Sequence, residues 1–517
     1  MNSSVYNESL PVRLYRILIL NPLGLDRQTA PVLWLLVFFC ALLGLSLWQF
    51  DGEIPVTVTA VYVCSFVIIA FIRPDIALYT FVFFVILFDQ LQLPGFEPIT
   101  YDVMFFHNIK EISYLPLDVG GINPVEFHLF LMLFAWFILF SANKKIDFVP
   151  IPVWPAFALF IGWFGLSFVY GILTGGEFLV ALWEIRATIY LAIMYVLVPQ
   201  IIRTKKQIYI LFWIIIATIT IKAIQGMIRY VSLGFSTEGY EALTNNEEPV
   251  LMVTIIILLL AFFAMKINTA QRTWLLIFLI PIILGFYAGQ RRASFASLMV
   301  TFGAFVLLLP PDVQFRFIKR AMPVVLILMI YGAVFWNSNS PLAQPVQMVK
   351  SGMVTPDKYE NMRDYHSNLY REIENYNLSV TAKENTLLGV GFGNKYEMPV
   401  ELVNINFPLR DYIPHNQIFW VYVKTGLIGF ILFWFFFNAF AFQGVITFMR
   451  LKDPYLKAVA LVIVIAVLNQ MVVSYYDVML TFYRNMIYLG CLMGLLPALI
   501  RISKREENEE AKSLEST

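Results

Sequence analysis

Apolar residues fall in long unbroken blocks along this chain. Blocks of about 20 apolar residues recur from end to end, the length that crosses a hydrocarbon core as a helix. The pattern predicts an all-α polytopic membrane protein of about fourteen spans. These lie near 31–50, 55–72, 75–90, 124–142, 150–172, 178–200, 207–230, 249–267, 272–289, 292–310, 322–337, 415–446, 455–475 and 479–500, the third and eleventh being short. One polar stretch of 77 residues, 337–413, interrupts the series. The chain thus divides into spans one to eleven with an N-terminal interfacial segment (1–336), a loop domain (337–413), the last three spans (414–500) and a tail (501–517). Ile17–Leu20 is cut short by Asn21-Pro22 and no small-residue cleavage site follows. The N-terminus therefore reads as a short interfacial helix with Arg13 and Arg16 toward headgroups, rather than a cleavable signal.

Inside the polar stretch, Met362, Tyr365, Leu369, Ile373, Tyr376 and Val380 are spaced by three and four. That spacing predicts a helix with one apolar stripe, with Arg363 and Arg371 off it. A glycine-rich turn follows at Gly389, Gly391 and Gly393, expected to bring backbone N–H groups near a ligand. Without a strand before it and a helix after it, the run is not a nucleotide loop. Seven Lys/Arg against nine Asp/Glu make the stretch a solvated cap.

The breaks between blocks carry a second pattern. One set is basic: Arg13/Arg16/Arg27, Arg73, Lys144-Lys145, Arg203/Lys205/Lys206, Lys266/Arg272, Arg316/Lys319/Arg320, Arg450/Lys452/Lys457 and Arg501/Lys504/Arg505. The alternate set is acidic or neutral: Asp51 and Glu53, the 91–123 loop, Gly175–Glu177, Thr237–Glu248 and Tyr475–Asp477. Basic loops stay cytoplasmic. Fourteen spans put every basic loop on that side, both termini with them, and the 337–413 loop outside. Arg291 and Arg292 break the rule on the outer side, which marks them for a function.

Composition agrees with the class. Apolar residues make up 59% and charged residues 14%, with mean hydropathy +0.72, where soluble domains carry about 25% charged residues. A net charge of +1 gives no field for nucleic acid. Cys40, Cys64 and Cys491 sit in apolar blocks and read as small packing residues. The outer loops hold no Asp-x-Asp, His-x-x-x-His or carboxylate cluster, so neither a metal nor another cofactor is expected.

Ionisable residues inside the spans cluster toward the outer side: Glu126, His128, Glu184, Arg186, Lys222, Arg291, Arg292 and Arg484. Each is costly in lipid unless it faces a partner or water. Snorkelling accounts for Glu126, His128 and Arg484, but less well for Arg186 and Lys222. The remaining reading is a cationic cavity open to the outer face. Arginine's fixed fork of donors suits phosphate, and a lipid pyrophosphate presents its head at this depth.

The polar stretch ends in Pro414-His415-Asn416-Gln417, and an apolar helix runs on through Gly426 and Gly429. His415-Asn416 with glycines eleven and fourteen residues on, the preceding Leu388-Gly389-Val390-Gly391-Phe392-Gly393, and Arg292-Ala293-Ser294 opening a span resemble the O-antigen ligase and polymerase superfamily. The resemblance is specific from about 280 to 430. Lys424 stands where an acidic residue is common, and Arg291 where a serine is. The resemblance implies a GT-C-like bundle in the bacterial inner membrane. It implies a metal-independent, inverting transfer of glycan from an undecaprenyl-pyrophosphate-linked donor to a glycan or lipid-linked acceptor at the periplasmic face. It also implies catalytic roles for His415, Arg186 and Arg292, with Arg291, Lys222, Asn416, Arg371, Gly391 and Gly393 as candidate substrate-binding residues. His415, with an ordinary pKa near 6.5, suits a general base; the plainer reading is an interfacial histidine capping a helix.

Fourteen spans exceed the usual dozen of the ligases that the chain resembles, and with the atypical loop they favour a polymerase over a ligase. The competing class is a flippase for lipid-linked oligosaccharide. A flippase needs charge along its whole transit path and often internal repeats, and the sequence has neither. The charge alternation makes a direct prediction. Cysteines introduced singly as Glu360→Cys, Lys145→Cys and Arg505→Cys should label from outside at 360, and at 145 and 505 only after permeabilisation. A protected residue 360 would overturn the orientation.

Overall fold

A computed structural model describes residues 56–515, apart from positions 94, 97–98, 112–120, 143–146, 237–239, 241, 339, 341–342, 354–361 and 406. The expected interfacial segment, the first span, Lys144-Lys145 and Glu360 lie outside the described residues. Among those described there is no β-strand. The main helices are α1 (Val56–Ile72), α2 (Pro74–Leu87), α3 (Pro124–Ala142), α4 (Trp154–Leu173), α5 (Phe178–Ile201), α6 (Lys205–Ser232), α7 (Glu248–Ala264), α8 (Ala270–Ile277) and α9 (Leu279–Ala288). They continue with α10 (Arg292–Leu308), α11 (Pro311–Phe335), α12 (Gln344–Met353), α13 (Met362–Glu384), α14 (Gln417–Arg450), α15 (Pro454–Tyr476) and α16 (Tyr483–Glu515).

Each expected span after the first falls on one of these helices. Eight are long and apolar enough to cross a membrane, nine if the bent pair α8–α9 is one span, and four more are apolar but shorter. The fourteen-span count therefore rests on the four shorter helices and on the segment before residue 56. Four boundaries differ from the expectation for local reasons. The span near 272–289 bends by 55° after Ile277, where Pro281 in the first turn of α9 has no N–H to continue the ladder. Helix α11 starts at Pro311, a favoured first helical residue, so Arg316, Lys319 and Arg320 lie on helix rather than loop. The last helix starts at Tyr483 and runs on to Glu515, so the tail is helical, supported by the Arg505–Glu509 pair at 2.8 Å. In α14, Gly426 sits at φ 66° and breaks the helix.

Among the helices long enough to cross a membrane, α5, α6, α15 and α16 are the most buried, with α16 lying along α5 and α15 between α7, α10 and α14. Helix α11 buries none of its residues against the rest of the protein. The stripe read between Met362 and Val380 does form a helix, α13, which packs on α14.

Lipid forces a complete accounting of backbone groups, and the break at Gly426 shows how it is met. A helix interrupted there leaves the carbonyls of Val423, Lys424 and Thr425 without their i+4 partners. Val390 N–H donates to Val423 O at 2.9 Å and Gly391 N–H to Lys424 O at 3.0 Å. Trp163 Nε1 donates to Thr425 O at 2.9 Å. In return Leu427 N–H donates to Thr386 O at 2.8 Å. The three glycines of the run adopt φ of 72°, 79° and 83°, the left-handed region, and touch α4 and α14 backbone to backbone. A Cβ on Gly171 of α4 would lie 2.0 Å from the Phe392 carbonyl oxygen. Backbone cannot rotate away as a side chain does, and overpacking costs about 1–3 kcal/mol. Gly171→Ala should therefore lower the Tm of detergent-solubilised protein, whereas Gly165→Ala, with open space around the new methyl, should leave it unchanged. Equal Tm values for both variants would refute this packing.

Candidate active site

Helix α13 presents a polar stripe that the sequence reading passed over in favour of its apolar one. Asp364, Ser367, Asn368, Arg371, Glu374 and Asn375 recur at intervals of three and four, so they share a face. The two ends of that face meet the two outer elements that carry candidate residues. Near one end, Arg292 Nη2 donates to Ser367 Oγ at 3.3 Å, and its Nη1 lies 3.9 Å from Asp364 Oδ2. Near the other, Glu374 holds His415. Ser367 and Glu374 are seven residues apart, about 10 Å along a helix.

Glu374 is 1% exposed. Its Oε2 accepts from the His415 backbone N–H at 2.9 Å, and its Oε1 lies 3.1 Å from His415 Nδ1. An ionised carboxylate can only accept, so the hydrogen-bond network assigns the ring proton to Nδ1 and leaves Nε2 as the basic nitrogen. Nε2 has no hydrogen-bond partner among the described residues, and the imidazole is 26% exposed. The Tyr370 ring lies edge-on to it at 5.4 Å between centroids. Burial, then the Glu374 carboxylate, pushes the Tyr370 phenol up to about 12; its hydroxyl stays a neutral donor with no hydrogen-bond partner among the described residues. Asn416 caps α14 by accepting from Phe419 N–H at 3.0 Å, and its Nδ2 donates to Asn375 Oδ1 at 3.0 Å.

The connection from α15 to α16 ties the remaining candidates to this place. Asp477 Oδ2 lies 3.9 Å from Arg291 Nη1. Gln417 accepts from Thr481 N–H at 3.1 Å and donates to the Thr481 hydroxyl at 3.1 Å. Two residues on, the Tyr483 ring faces the Arg186 guanidinium, 5.9 Å from its centroid. Arg186 is 3% exposed. It pairs with Glu126 at 3.0 Å and donates to the Gly121 carbonyl at 2.6 Å.

Several candidates sit differently from the expectation. Lys222 lines no open cavity: Asp89 at 2.7 Å and Glu248 at 2.9 Å enclose it. Arg484 is buried in the same cluster, with Glu247 at 3.1 Å and Asp89 at 3.4 Å. A charge removed from water is satisfied by partners before anything else, and these partners come from loops far apart in sequence. The N–H groups of Gly391 and Gly393 are used inside the protein as well, the first on Lys424 O and the second on Glu184 Oε2 at 2.6 Å. Glu184 also pairs with Lys424 at 2.8 Å, both fully buried. Arg371, by contrast, lines an open cavity with Asn368, Glu372, Glu374, Asn375 and Asn416.

The sequence reading named Gln417 and Asp477 without giving them a role at the site, and did not name Glu374, Tyr370 or Thr481. For Glu374 a signal existed in the three-four spacing of the polar face; for the α15–α16 connection there was none, because its contacts are with residues distant along the chain.

Residues 276–434 match the O-antigen ligase family. No curated protein matches the chain. The matched segment contains Arg291, Arg292, all of α13, the glycine run, His415, Gly426 and Gly429; it excludes Arg186 and the α15–α16 connection. The match supports the O-antigen ligase and polymerase superfamily for this chain and implies glycan transfer of that type.

The Glu374–His415 contact generates a test. Glu374→Gln keeps the volume but lets the ring settle in the other tautomer. Losing the group that orients a catalytic histidine costs up to about 10⁴ in rate. A fall of about 10²–10⁴ in turnover, with acceptor KM and Tm near wild type, is expected. A wild-type turnover, or a variant that simply unfolds, would remove the orienting role.

Proposed function

We propose that the protein transfers glycan from an undecaprenyl-pyrophosphate donor to a sugar hydroxyl at the periplasmic face of the bacterial inner membrane. In this reading it has fourteen spans and cytoplasmic termini. The observation that carries the reading is the imidazole of His415, oriented by Glu374 with its basic nitrogen unoccupied among the described residues, while the helix that carries Glu374 also carries the Arg292 contact.

In this mechanism the acceptor hydroxyl gives its proton to His415 Nε2 as its oxygen attacks the anomeric carbon. The bond from that carbon to the pyrophosphate oxygen breaks, and the pyrophosphate leaves with the electron pair. Attack from the opposite face inverts the centre. Arg292, with Arg291 beside it, takes the growing charge on the leaving group; each is partly exposed, with a carboxylate oxygen at 3.9 Å. Arg186 is the third candidate, approached through Tyr483 and Gln417. Its pairing with Glu126 makes it the one most open to a structural role instead. No step calls for a metal.

The reading favours a polymerase over a ligase, and the product decides: longer lipid-linked chains, or glycan moved to a different acceptor. His415→Ala should abolish transfer from purified lipid-linked donor while leaving protein level and Tm intact. Arg292→Lys keeps the charge but loses the paired donors, and should lower turnover by about 10²–10³. Arg186→Lys should do the same with Tm unchanged; a lowered Tm would assign it to the fold. Activity should persist in EDTA. Transfer by His415→Ala at the wild-type rate, full activity of Arg292→Lys, or EDTA inhibition reversed by magnesium would each sink the mechanism.

A further inference from the structure

We propose that the cleft between α13, the start of α14 and the end of α15 is the acceptor subsite, holding an uncharged sugar and, beside it, the lipid chain that carries that sugar. This deepens the glycan-transfer reading and rests on it.

The cleft has two parts. A polar cavity of about 210 Å³ lies among Asn368, Arg371, Glu372, Asn375, Tyr475 and Tyr476. An apolar one of about 460 Å³ runs along α14 past Ile418, Phe419, Tyr422 and Phe430. Asn375, Asn416 and Tyr475 line both, so the two open into each other. A ligand that fills both is polar at one end and apolar at the other.

The polar part has the chemistry of a sugar site. Asn368 and the Asn375 amide nitrogen have no hydrogen-bond partner among the described residues, and Arg371 Nε is buried without one. Glu372 offers acceptors to hydroxyl groups. Tyr475 and Tyr476 are 53% and 41% exposed, their rings nearly perpendicular at 88°. They offer one ring face and one ring edge to the apolar side of a pyranose. Two carboxylates against one guanidinium make the cavity unfavourable for pyrophosphate, which has Arg291 and Arg292 to go to at the other end of the α13 face. Asn416 adjoins His415, so a sugar seated here has its hydroxyl groups beside the general base.

The apolar part gives the sugar's carrier. Its lining continues directly from the sugar cavity, so little separates the glycan from its hydrocarbon chain. A long soluble glycan has no use for such a groove; a short lipid-linked one has.

The test measures binding to the protein in nanodiscs by saturation-transfer NMR. One probe is the oligosaccharide released by mild acid from the lipid-linked pool that accumulates in cells lacking the protein. The other is the same oligosaccharide bearing a decyl chain. Wild type should bind both, the decyl form at least tenfold more tightly. Asn375→Ala and Tyr476→Ala should weaken both probes about tenfold, and Phe430→Ser should weaken only the decyl form. Loss of all chain preference, no binding by wild type, or wild-type binding by all three variants overturns the proposal. Binding as expected in a protein that performs no transfer would instead sink the reading of the previous subsection.

Discussion

Helix α14 breaks at Gly426, and the carbonyls freed by that break hold the surroundings of His415 in place. In water such carbonyls would be hydrated; at a membrane boundary they must be bonded within the protein. Val390, Gly391 and Trp163 supply the donors, which locks the glycine run against α4 and α14. The buried Glu184–Lys424 pair fixes the far end of the same run through Gly393. With the run anchored on one side of α13 and the His415 turn on the other, α13 is held across the start of α14. The stripe that meets both His415 and Arg292 is then fixed in register.

Charge is handled by the same rule. The buried cations Lys222 of α6 and Arg484 at the start of α16 share Asp89, just past α2, and Glu248, at the start of α7, and Arg484 also pairs with Glu247. Breaking one member of such a cluster leaves an uncompensated charge, at about 3–5 kcal/mol. This cluster is therefore a clamp among helices. Of the candidate cations, Arg291, Arg292 and Arg371 are left partly exposed. The expected cavity counted Lys222 with them, and the structure encloses Lys222 among carboxylates.

The helices themselves were largely legible in the sequence. Apolar block length located each helix except α12 and α13, with α8 and α9 read as one span, and the three-four spacing found α13. Boundaries slipped where a local signal outweighed hydropathy: Pro281 bending the α8–α9 pair, Pro311 starting α11 early, and Arg505 with Glu509 carrying α16 into the tail. His415 and Arg292 stood out in the sequence because a histidine opening a helix after a polar loop, and arginines in a break of the set expected to be acidic or neutral, are both exceptions to a rule.

What tertiary structure alone decided is partnership. No spacing in the chain pairs Glu374 with His415, 41 residues apart, or Glu184 with Gly393, 209 residues apart. Nor does the sequence distinguish the cation enclosed by carboxylates from the cation facing a cleft, since both are a single Lys or Arg in an apolar block. Hydropathy reports how much each residue loses on leaving water, a property of the residue itself. Which partner compensates that loss depends on which helices meet, and packing alone sets that.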